Sequence, residues 1–91
     1  MKKCYIISFD LKPGHIYKNL TEAIKTYKTW ARITESTWAV VTESSASEIR
    51  DYLVQFLKSE DRIFIVRTGG SASWRNAIAQ KEWLKKFLPL N

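Results

Sequence analysis

The stretch Lys3-Cys4-Tyr5-Ile6-Ile7-Ser8-Phe9-Asp10 decides how the rest of the chain is read. In an extended backbone Tyr5, Ile7 and Phe9 fall on one side, and Cys4, Ile6 and Ser8 on the other. Both sides are largely apolar, which marks a strand covered on two faces. A second run of this kind, Asp61–Thr68 (DRIFIVRT), sets Ile63 and Ile65 against Phe64 and Val66. Next to the first strand, Pro13-Gly14 is a turn signal, and Ile16–Lys28 places Tyr17, Leu20, Ala23, Ile24 and Tyr27 on one helical stripe. The β-rich runs Trp30–Glu35 and Thr37–Glu43 leave almost no room between them, so they predict a tight hairpin turning near Glu35-Ser36.

Ser45-x-x-Glu48 has the spacing of a capping box, followed by a helix burying Ile49, Leu53, Phe56 and Leu57. After the strand at Asp61–Thr68 comes a small-residue loop, Gly69–Ser73. A C-terminal helix is then predicted over Trp74–Leu88, with Ile78, Trp83, Leu84, Phe87 and Leu88 free to pack on the body, on a neighbour or as an exchanged arm. The order βαββαβ predicts an α+β, ferredoxin-like domain: an antiparallel sheet with two helices on one face, the first and third strands central, and an added C-terminal helix. The core is expected at residues 3–68 and the helical arm at 74–88. Two helices cover one face only, so the two-sided strands require either the C-terminal helix or an identical subunit on the other.

Composition fits one small folded unit. The 91 residues are 45% hydrophobic, with only three Gly and two Pro, which excludes a low-complexity or disordered tail. A chain of this size buries roughly 60–65% of its unfolded surface, so its core is marginal and any added apolar cover matters. The one cysteine, Cys4, rules out an internal disulfide and a Cys-rich zinc site. The apolar run behind Lys2 and Lys3 is too short for a signal peptide or membrane span, so the expected location is the cytoplasm, without a membrane.

Fifteen Lys and Arg stand against nine Asp and Glu, a formal charge of +6. It is unevenly spread: residues 1–34 carry +5, residues 35–61 carry −4, and residues 62–91 carry +5. Two positive ends around an acidic middle attract phosphate backbones without reading sequence. Lys12, Lys18, Lys25, Lys28, Arg32, Arg67 and Arg75 are the candidate nucleic-acid contacts; the alternative is a solvated basic surface. The aromatics among them, Tyr17, Tyr27, Trp30 and Trp74, also fit core stripes.

The run FDL-K-PG at Phe9–Gly14, the segment E-S-T-W at Glu35–Trp38 and the segment E-W-L-K-K at Glu82–Lys86 carry a resemblance. Together they make the chain similar to the CRISPR-associated Cas-two-like and VapD superfamily, and nearer still to small bacterial SinR-family proteins. The resemblance implies a homodimer of ferredoxin-like subunits associating through sheet faces. It also implies nucleic-acid backbone contacts and, in some members, metal-dependent cleavage of RNA or DNA. Asp10 matches the aspartate ending the family's first strand, whose two copies are viewed as ligands for one Mg²⁺ or Mn²⁺. Ser36 matches a serine of the hairpin motif, although Thr34 stands where a glutamine is common.

Asp10 thus has two readings, a metal ligand for phosphodiester chemistry or an acceptor for the backbone of the following turn. Asp10 and Ser36 are the candidate catalytic residues, with Asp10 as the metal ligand. His15, the only histidine, is either a general acid or base or a solvated loop residue. Gly69–Ser73 between Arg67 and Arg75 is either an anion nest or a flexible connection with Ser73 capping the last helix. These readings predict a cytoplasmic homodimer that binds nucleic acid, with its enzyme status open between a divalent-metal-dependent endonuclease and a catalytically silent scaffold or interaction module.

Overall fold

Alternation of period two forms β1 at Lys3–Asp10, the bounds its sequence predicts. The computed structural model describes residues 1–13 and 18–89, so the readings of Gly14, His15 and Tyr17 lie outside the described residues. After β1 come α1 (Lys18–Lys25), β2 (Thr29–Thr34), β3 (Thr37–Thr42), α2 (Ala46–Val54), β4 (Arg62–Arg67) and α3 (Lys81–Phe87). The described residues thus make a small α+β structure with one four-stranded antiparallel sheet, ordered β2-β3-β1-β4, and three helices.

Phe9 N–H donates to the Ser36 carbonyl at 3.1 Å, and Thr68 N–H to the Cys4 carbonyl at 2.9 Å. Because antiparallel pairs alternate, the odd-numbered residues of β1 bond to β3 and the even-numbered ones to β4. Tyr5, Ile7 and Phe9 share one face with Trp38 and Val40, and there they meet Leu20, Ala23 and Ile24 of α1 and Ile49 and Leu53 of α2. Each fully buried Ile or Leu contributes about 2–3 kcal/mol relative to exposure, so this cluster holds most of the fold together.

On the opposite face Cys4, Ala39 and Val41 receive Leu84 from α3 and Leu88 just beyond it. The chain's own C-terminal helix is therefore one cover of the second face. It stops short of the outer strand, where Phe64 stays 63% and Val66 44% exposed. Burial pushes the Cys4 thiol above its ordinary range, a hydrogen bond with Thr68 opposing. Its contribution to stability is thus full below the ordinary thiol pKa and is lost as pH rises through the raised value.

The predicted helix over Trp74–Leu88 needs correction, since only Lys81–Phe87 is helical. Ala77 and Ala79 pack into the second cluster while Ile78 between them is 60% exposed, an alternation of period two. Ile78 N–H donates to the Ile33 carbonyl at 2.8 Å, and Asn76 sits in the left-handed region at φ 57°. A bond to the edge of β2 thus replaces a helical one. Ser73 consequently caps nothing; Gln80 is the N-cap, without a side-chain bond.

The first helix also ends earlier than Lys28. Thr26, Tyr27 and Lys28 donate to carbonyls three residues back, and Lys28 then turns left-handed at φ 68° into β2. The second helix begins as predicted: Ser45 Oγ accepts from Glu48 N–H at 3.1 Å and Glu48 Oε1 accepts from Ser45 N–H at 2.7 Å. Its stripe is shorter than expected, because Phe56 lies beyond the helix end and is 37% exposed. Ser45→Ala should destabilise the protein by about 1 kcal/mol. Urea unfolding should show this as a lower midpoint at unchanged slope. Among the described residues no helix is long and apolar enough to cross a membrane.

Candidate functional site

β1 ends and the β2–β3 hairpin turns at the same end of the sheet. The Phe9–Ser36 backbone bond holds these two places together. A cleft of about 310 Å³ opens there, lined by Phe9, Asp10, Leu11, Thr21, Arg32, Glu35 and Ser36. Three sequence candidates, Asp10, Ser36 and Arg32, therefore border one space. Two further polar residues join them that sequence reasoning passed over. Glu35 was readable as the neighbour of Ser36, whereas Thr21 arrives only through the packing of α1 on the sheet.

The side chains around the cleft are not equally free. Arg32 Nη2 donates to the Glu35 carbonyl at 2.9 Å and its guanidinium lies 5.6 Å from the centre of the Trp38 ring. These contacts fix a charge-bearing fork at the rim. Arg32 Nε and Trp38 Nε1 are buried without a hydrogen-bond partner among the described residues. Of the guanidinium's five donors, the outer ones are those that remain for a ligand. Asp10 is exposed and meets Arg62 Nη1 at 3.4 Å. Neither sequence reading of Asp10 named Arg62, which β4 brings opposite it in register.

Among the residues bordering the cleft, Asp10 and Glu35 carry carboxylates and Ser36 and Thr21 hydroxyls, all hard oxygen donors, with the Asp10 carboxylate paired to Arg62. Such a set suits Mg²⁺ or Mn²⁺ better than a soft metal. Among the described residues no group of three or more His, Cys, Asp or Glu comes together, so one chain alone supplies few anionic ligands.

The basic candidates divide. Lys12 pairs with Glu60 at 3.5 Å in a small neighbouring hollow that Asp10 and Arg62 also line. Lys25 pairs with Glu22 at 3.8 Å and lies 5.3 Å from the Trp30 ring centre, while Lys18 is exposed at the start of α1 and Lys28 in the turn that follows it. Arg67 is opposite Tyr5, at the other end of β1 from Asp10. Five strand positions separate those ends by about 17 Å, so Arg67 does not belong to the cleft. Arg75 is exposed in the segment between β4 and α3.

A larger hollow of about 400 Å³ lies on the α3 side, lined among others by Ile6, Ile33, Val66, Trp74, Leu84 and Leu88. Gly69 on its rim has φ 144°, a conformation that excludes most side chains, and Arg67 and Ser73 line the same hollow. No family model, curated protein or solved structure matches this chain.

Proposed function

We propose that this chain is a cytoplasmic, ferredoxin-like, Cas-two-like homodimer that binds nucleic-acid phosphates at the Asp10–Ser36 cleft. The observation that supports it most is the convergence of Asp10, Ser36 and Arg32 around one opening, fixed by the Phe9–Ser36 bond. The strand order, with β1 and β3 in the middle, supports the ferredoxin-like reading. Arg32 is the phosphate anchor, because its fork is pre-oriented by Trp38 and Glu35 and loses little freedom on binding. Lys18 and Lys28, both exposed, extend the attraction along α1 and just beyond its end. Asp10 and Glu35 are the carboxylates that would hold Mg²⁺ or Mn²⁺. Such an ion supplies charge neutralisation and activation of water for phosphodiester attack.

One observation favours the alternative, a catalytically silent scaffold. Asp10 is already engaged by Arg62, and a metal would have to displace that cation. The test is binding of fluorescent single- and double-stranded DNA and RNA across a salt series, followed by incubation with Mg²⁺ or Mn²⁺ and with chelator. A footprint of three phosphates gives a log–log salt slope of about −2.7. Absence of binding at low salt overturns the proposal, and binding without metal-dependent cleavage selects the scaffold.

A further inference from the structure

The two edges of the sheet are treated differently. Beside β2 the chain lays its own residues 77–79, bonded through Ile78 N–H to the Ile33 carbonyl. Beside β4 no described residues are laid as a further strand. Since Thr68 bonds inward to Cys4, the even-numbered residues of β4 face β1, and the backbone groups of Ile63, Ile65 and Arg67 point to the open edge. An exposed edge with apolar side chains is a template for another strand. A hollow of about 160 Å³ runs beside it between α2 and β4, lined by Arg50, Ile63, Phe64 and Ile65 among others.

We infer that the occupant of this edge is a second copy of the chain, β4 pairing antiparallel with β4 about a two-fold axis at Phe64. The inference rests on the homodimer in the proposed function and places its contact at the β4 edge, where the resemblance implies sheet faces. Bonding parity requires odd residues to meet odd, which excludes the register that would set Arg62 against Arg67. With Phe64 opposite Phe64, Ile63 meets Ile65, so aromatic and aliphatic pairs coincide, and Asp61, whose carboxylate accepts from Lys12 and Lys58 N–H, comes level with Arg67. Overall charge favours the same place. Residues 45–67, which form α2, β4 and their connection, contain four acids and four bases, whereas the whole chain carries +6. Two copies therefore repel least along this edge. The dimer carries one continuous sheet of eight strands. It keeps the two Asp10 residues about 19 Å apart, by strand spacing and offset, so each cleft works alone and no ion is shared.

The test is cysteine cross-linking. At the axis, Phe64→Cys places two sulfurs in a non-hydrogen-bonded pair with Cα atoms about 4.5 Å apart, within disulfide range. Val66→Cys, opposite Arg62, lies beyond it from its own copy. Native Cys4 is buried and does not compete. Expected are a dimer of twice 10.6 kDa for the wild type, near-complete disulfide formation for Phe64→Cys, little for Val66→Cys, and a monomer for Phe64→Glu. Phe64 is 63% exposed, so circular dichroism should show both of its variants folded. A wild type that is monomeric at every concentration overturns the homodimer itself. A wild-type dimer that fails to cross-link at position 64 and persists in Phe64→Glu overturns only the edge.

Discussion

Ile7→Ala is expected to remove about 2–5 kcal/mol of stability, a large share of what a domain of this size has. Ile7 has no solvent exposure, stands on a central strand and faces Trp38 on one side and Ile65 on the other. Leu20, Ile24, Ile49 and Leu53 close over the same cluster. Truncation leaves a cavity that neither helix can fill, because each is tied to the sheet by its own buried residues. The reference substitution is Val66→Ala. It removes two methyl groups from a side chain that is 44% exposed, so it should cost well under half as much. Urea unfolding of the two variants measures the difference directly. Equal losses would mean that the outer face of β4 is covered in solution, as it would be in part by pairing of β4 with a second copy, so the comparison is made at concentrations where the wild type is monomeric.

That contrast bears on how much of the molecule its sequence discloses. The two-sided pattern at Lys3–Asp10 is legible because strand periodicity is local and both clusters read the same eight residues. The hairpin is legible for the same reason, as is the capping box, which needs only Ser45 and Glu48. The segment after β4 is not. Trp74, Ile78 and the apolar residues of Lys81–Phe87 have helical spacing, so they imitate one long helix. The side chains that actually pack are Ala77 and Ala79, too small to register as a pattern, and the bond that fixes them comes from Ile33. A β-bulge between Arg32 and Thr34 adjoins that carbonyl, a tertiary event with no local signature. The cleft divides in the same way. Asp10 and Ser36 could be singled out at the ends of predicted elements, but their proximity depends on β1 pairing with β3. The Asp10–Arg62 ion pair depends on β1 pairing with β4. Register across the sheet, not composition, decides which charges meet.

Asp10→Asn separates attraction from chemistry. The carboxylate is exposed, and its pair with Arg62 has the geometry of a surface ion pair worth at most about 1 kcal/mol, so the fold should tolerate the change. Asparagine keeps the shape and an oxygen acceptor but removes the negative charge, which opposes phosphate entry and also holds Arg62. Binding should therefore tighten, by about two- to fivefold at low salt, with a steeper salt slope as Arg62 becomes available. Metal-dependent cleavage should fall by a hundredfold or more in the endonuclease reading, since a neutral amide is a poor ligand for a hard divalent cation. The same variant in the scaffold reading tightens binding and loses nothing else. Weaker binding by Asp10→Asn in the presence of chelator would contradict both, because it would require the carboxylate to contact the nucleic acid favourably. An Arg62→Ala control removes the released cation. In that background Asp10→Asn should no longer steepen the salt slope, which ties the gain in affinity to the ion pair that β4 brings into the hollow beside the cleft.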